Sequence, residues 1–234
     1  MKGKIKIEII IFSLIQLVLY ALIFTVGGDA VRYGVVLCAF LFSLIFVSKD
    51  KNSCFTVGAL GFTLIADLFL VLLDPARQLV GMVFFCGAQL CYAARVHFFF
   101  ETKRARKFTL ALRAAAVFAV QIVTLAVLGG SYDALSAVSM FYFTNLILNT
   151  VFAFIRIKKQ PVYALGMLAF VFCDVFVGLG AALGTYLAVS EGSIIYMLAH
   201  PPFDAVWTFY APSQTLIAIS SLVGKPLIKN IKRR

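Results

Sequence analysis

Charge is scarce in this sequence. Only 13 % of its 234 residues are Asp, Glu, Lys or Arg, against about 25 % in a soluble domain. No polar stretch is long enough to make a separate soluble domain, so a water-facing exterior is excluded and one integral membrane domain is expected over residues 1–234. Histidine is nearly absent: His97 falls at a helix end and His200 in a loop. The five cysteines (Cys38, Cys54, Cys86, Cys91, Cys173) lie in or beside apolar runs, with neither metal spacing nor a disulfide framework. They read as small packing residues, and neither a metal nor a cofactor is expected. The apolar run after Lys2, Lys4 and Lys6 shows no clear cleavage site and reads as an uncleaved signal anchor. The net charge of +11 does not mark a nucleic-acid partner, because the cations gather at the termini and in short loops.

Long apolar runs fill the rest, 62 % of the residues being hydrophobic. The expected fold is all-α, a bundle of eight transmembrane helices. The spans run over about Ile7–Val26, Val31–Val47, Cys54–Leu73, Leu79–Phe99, Thr109–Leu128, Asp133–Ile155, Tyr163–Val189 and Ala205–Val223. Asp74-Pro75-Ala76-Arg77 reads as a tight turn, and Glu101–Lys107 as the most basic loop. Lysines and arginines crowd the N-terminus, the even-numbered loops and the tail from Lys225 to Arg234. The odd loops hold Arg32 and Arg77 among the acids Asp29, Asp74, Asp133, Glu191 and Asp204. Such a bias predicts both termini in the cytoplasm. Arg95 and Arg113, near helix ends on the basic side, are expected to snorkel to the surface.

Two stretches break the apolar rule. Gly58–Asp74 carries Asp67 in its middle, and Gly166–Leu179 carries Asp174. A carboxylate in hydrocarbon costs roughly 3 kcal/mol on insertion scales, so an acid there is read as functional. With helices rising about 1.5 Å per residue, both acids lie roughly 17–20 Å from the inner edge and can meet. The same count brings Gln89, Tyr92, Asn145, Asn149, Tyr210 and Gln214 towards one layer, predicting a buried polar pocket. Asn145, Asn149 and Gln16 also suit plain packing roles. Two carboxylates in one apolar site cannot both ionise cheaply, which leaves an acid beside a base. That pair suits hydrolysis by proton donation, and equally a proton-coupled carrier.

The acids sit in recognisable company. Ala66-Asp67-Leu68-Phe69-Leu70, then Gly81–Phe85 followed by Gln89–Tyr92, then Gly166 through Phe170 to Cys173-Asp174, and finally Tyr210–Ala218 follow one another in order. From about residue 54 onward the chain resembles the YhhN family of eight-span membrane proteins, whose characterised members are lysoplasmalogenases. Ala66, Gln89 and Cys173 stand where that family usually has Gly, His and Ser. Gln89 cannot be protonated as a histidine can, so any acid–base role of that histidine is lost or reassigned. The resemblance implies hydrolysis of the vinyl ether bond of a lysophospholipid in a bacterial cell membrane. Asp67 and Asp174 would then be the catalytic pair, with Gln89, Tyr92, Asn145, Tyr210 and Gln214 positioning water or substrate. A carrier, or a lipid-binding protein without turnover, stays open beside it.

Overall fold

A computed structural model describes residues 2–47, 50–73, 77–98, 102–185 and 190–223, with 2–6 and 184–185 as backbone only. The turn around Pro75, Lys49, Glu101 and the basic tail lie outside the described residues. Nine α-helices and no strand are found among those described. They are α1 (Lys2–Thr25), α2 (Asp29–Ile45), α3 (Lys51–Asp67), α4 (Gln78–His97), α5 (Lys103–Leu128), α6 (Ala134–Ile155), α7 (Pro161–Thr185), α8 (Ile194–Ala199) and α9 (Ala205–Val223). Six of them, α1 and α3 to α7, are long and apolar enough to cross a membrane. This is a membrane protein.

Polar groups set the helix ends. Gly27 and Gly28 take positive φ, 71° and 93°, a region open to glycine, and end α1. The Asp50 carboxylate accepts from Ser53 N at 3.0 Å and starts α3. Asp133 and Ser136 cap α6 reciprocally, the Asp133 carboxylate accepting from Ser136 N at 2.7 Å and Ser136 Oγ accepting from Asp133 N at 2.9 Å. Thr102 caps α5, so Lys103 to Lys107 form its first turns and not a loop.

Inside and outside are exchanged relative to a soluble protein. Ile7, Leu17, Phe118, Val127 and Ile155 are exposed, whereas Thr63, Asp67, Gln89, Arg95, Asn149 and Gln214 are buried. In lipid no water serves a polar group, so the bundle must satisfy it internally. The tightest pairs are α3 with α4 and α7 with α9; α6 packs on α4 and α7, and α2 on α3 and α9. A Cβ on Gly166 would stand 2.9 Å from Ile217 Cγ1 and 3.1 Å from the Ile217 backbone nitrogen, which is how closely α7 meets α9. Two helices are peripheral: α1 lies mainly on α2, and α5 on α6. Thr109 is the only buried residue of α5.

Two local features bear on the site. Beyond Asp67, α3 widens into a π turn over Leu68–Leu72, facing α4 where Gly81 would place a Cβ 3.2 Å from the Ala66 carbonyl. At the start of α2, Arg32 pairs with Asp204 at 2.8 Å and Asp29 at 3.2 Å and lies over the Trp207 ring. That knot fastens the start of α2 to the start of α9. Glu191 and His200 are exposed as expected, but the loop holding them contains the short helix α8.

Candidate functional site

Asp67 is the last residue of α3 and is buried, 3 % exposed. Its Oδ2 accepts a 2.7 Å hydrogen bond from the Tyr210 hydroxyl on α9. Asp174, near the middle of α7, is half-buried; its Oδ2 accepts from the Tyr142 hydroxyl on α6. Cys173, its buried neighbour on α7, precedes it in the chain. Asp174 is close enough for its charge to act on Asp67. The level predicted from residue counting therefore holds for the two acids and for Tyr210.

Aromatic rings wall this layer. Phe170, one helical turn inward from Asp174, is fully buried. It packs against Tyr142 and Tyr210, with centroids 6.5 and 5.6 Å away, and against Phe85 at 6.2 Å. Trp207 closes on Tyr210 from the outer side, edge to face at 5.2 Å. Each carboxylate thus has a phenol donor aimed at it and apolar rings around it. Hydrogen bonding to the charged form favours it, whereas burial and a neighbouring like charge disfavour it.

The other expected pocket residues do not join this layer. Gln89, Asn145 and Asn149 belong to a second network with Arg113: Asn149 Nδ2 donates to Gln89 Oε1 at 2.9 Å, and the Arg113 guanidinium donates to both asparagines. Successive turns of α6 explain the split, since Asn149 lies seven residues, about 10 Å, inward of Tyr142. Tyr92 places its hydroxyl beside Thr63, one turn inward of Asp67. Gln214 is fully buried one turn inward of Tyr210, and neither end of its amide has a partner among the described residues. Gln16 donates to the Val35 carbonyl at 3.0 Å and serves packing.

The arginines correct the expectation of snorkelling. Arg95 is fully buried, donating to Thr56 Oγ1 at 2.6 Å and Gln160 Oε1 at 3.1 Å and lying 3.8 Å from the Tyr163 ring centroid. Arg113 turns inward to the asparagines. Both find oxygen partners within the protein, nearer than the surface. Tyr142 carries less signal in the sequence than the more polar Asn145. Depth alone would have found it: nine residues from Asp133 is about 13 Å from the start of α6, the level of the acids.

The model of the YhhN family matches residues 29–221, a stretch that contains both acids, both tyrosines and the inner network. The chain belongs to the YhhN family. No curated protein and no solved structure matches it. In this YhhN protein, Cys173, where the resemblance places Ser, is a small buried residue beside Asp174. Gln89 in place of His keeps an acceptor for Asn149 through its Oε1. Among the described residues no cluster of His, Cys, Asp or Glu has the makings of a metal site.

Proposed function

We propose that this YhhN protein hydrolyses the vinyl ether bond of a lysophospholipid within the membrane, as a lysoplasmalogenase does. One observation carries the reading: two carboxylates on different helices share one apolar, ring-walled level, each holding a tyrosine hydroxyl. Vinyl ether hydrolysis starts with a proton added to the carbon β to the oxygen, which leaves an oxocarbenium ion. Water then adds to the carbon bearing the ether oxygen, and the resulting hemiacetal collapses to a fatty aldehyde and the glycerophospho alcohol. The protonated member of the Asp67–Asp174 pair supplies the first proton. The ionised member stabilises the cation and takes the proton of the incoming water. Tyr142 and Tyr210 hold the carboxylates in place.

The substrate is a single-chain lipid entering from the bilayer. The same reading has α2 and α9 cross beside those six helices, giving eight spans, one membrane domain and both termini in the cytoplasm of a bacterial cell. At 17 residues, α2 reaches about 26 Å, the short end of the range that spans a bilayer.

The test is aldehyde release from a lysoplasmalogen by the purified protein in detergent, with Asp67→Asn and Asp174→Asn beside it. Each variant is expected to lose at least about a hundredfold in rate, the lower end of what a positioned acid or base contributes. Full activity in both, or no product from folded wild type, overturns the assignment.

A further inference from the structure

The hydrogen bonds of the inner network run in one direction. Arginine has donors only. Arg113 Nη1 donates to Asn145 Oδ1 at 2.6 Å and Nη2 to Asn149 Oδ1 at 2.7 Å. With its oxygen taken, Asn149 presents its NH2 to Gln89, donating to the backbone carbonyl at 3.0 Å and to Oε1 at 2.9 Å. Asn145 likewise spends its NH2 on the Phe141 carbonyl at 2.8 Å. The orientation of Gln89 follows: its oxygen faces Asn149 and its NH2 is left over. Gln89 is fully buried, and that NH2 has no acceptor among the described residues. The side-chain amide oxygens of the relay are all engaged, and what remains unpaired is a donor.

The charge is left over as well. Among the described residues no carboxylate lies within ion-pair distance of Arg113. A guanidinium inside a bilayer without a counter-charge is costly. Donors in surplus beside an uncompensated cation define a site for an anionic oxygen ligand.

We propose that Arg113, Asn145, Asn149 and Gln89 form the binding site for the phosphate of a lysophospholipid head group. This rests on the hydrolase reading for the identity of the lipid. Arg113 supplies the counter-charge, its fork held by the two asparagines, and Gln89 supplies a neutral donor. Asn145 and Asn149 lie three and seven residues inward of Tyr142, about 5 and 10 Å along the helix. The glycerol unit of the lipid separates its ether from its phosphate by a comparable span. The lipid therefore lies with its head towards the basic face and its ether at the acid pair. Beside the relay, a cleft of about 10 Å³ between α4, α5 and α6 is lined by Val96, His97, Thr109, Arg113 and Phe152. That is room for about one water.

The rival is a purely structural one, in which Arg113 clamps α5 to α6. Binding of two uncleavable lipids separates them: a saturated alkyl ether lysophospholipid, and an alkylglycerol of the same chain without phosphate. Wild type is expected to prefer the phosphate-bearing lipid by about tenfold or more in Kd. Arg113→Met should bring the ratio to about one. So should Asn149→Asp, whose carboxylate still accepts from Arg113 and strengthens a clamp, but neutralises the cation and no longer donates to Gln89. Asp67→Asn should leave the preference intact. A wild-type ratio near one, or a preference surviving Asn149→Asp, overturns the proposal. Full displacement of the lysophospholipid by millimolar inorganic phosphate overturns the lipid as ligand. Aldehyde release is read separately, so an intact preference without product sinks the hydrolase and leaves the phosphate site standing.

Discussion

At the scale of single residues, the two tyrosines differ in a way that can be measured. Tyr210 and Asp67 are both buried, whereas Asp174 is half-buried. Removing a phenol hydroxyl from a buried carboxylate leaves an acceptor that nothing else reaches, at about 1–3 kcal/mol. That is roughly a tenfold to hundredfold loss of rate. Tyr210→Phe is expected to fall in this range in kcat. Tyr142→Phe should lose less, because water or substrate can replace its donor at Asp174. Steady-state kinetics on both variants checks the order, and the reverse order would place the more tightly held acid on α7. The acids and Tyr210 were legible because a carboxylate in an apolar run has few explanations and residue counting fixes depth. Tyr142 was not, since a tyrosine among phenylalanines carries little signal beside an asparagine. Arg113 was misread for a related reason. Sequence gives the distance to the surface but not the nearer oxygens of Asn145 and Asn149, which only the packing of α5 against α6 supplies.

Helices were legible wherever apolar length governs them, and less so at their ends. The basic segment 103–107 is helical because Thr102 caps it, and α8 starts at Ser193, whose hydroxyl accepts from Tyr196 N at 3.2 Å; neither cap competes visibly with loop composition. The contact between α7 and α9 offers a sharp test. At Gly166 a methyl group would meet the Ile217 backbone nitrogen at 3.1 Å, whereas at Gly178 nothing lies within 4 Å. Gly166→Ala should therefore force the helices apart, at about 1–3 kcal/mol as for other overpacked contacts. Gly178→Ala, on the same helix, should be neutral or raise stability by up to about 1 kcal/mol through helix propensity. Thermal midpoints in detergent decide it, and equal midpoints would mean that α7 and α9 have slack at Gly166.

For the whole molecule, orientation is the property on which the reading of the site depends, because it decides which face the head group meets. The basic bias of the loops and the outer knot of Arg32, Asp29 and Asp204 are consistent with termini on the inner side. In a background with the native cysteines replaced, Ser131→Cys should react with an impermeant thiol reagent on intact cells. Lys158→Cys should react only after lysis. The opposite pattern inverts the protein and with it the direction of the lipid. The π turn beyond Asp67 bears on how such a bundle changes over generations. An inserted or deleted residue in a transmembrane helix rotates every following side chain by about 100°, which is why these segments seldom change length. Leu68–Leu72 already holds one residue more than an α-helical turn requires. The chain can shed that residue and return to α-helical spacing with Asp67 and everything inward of it still in register. Length variation is then confined to the outer rim, and the chemistry is insulated from it.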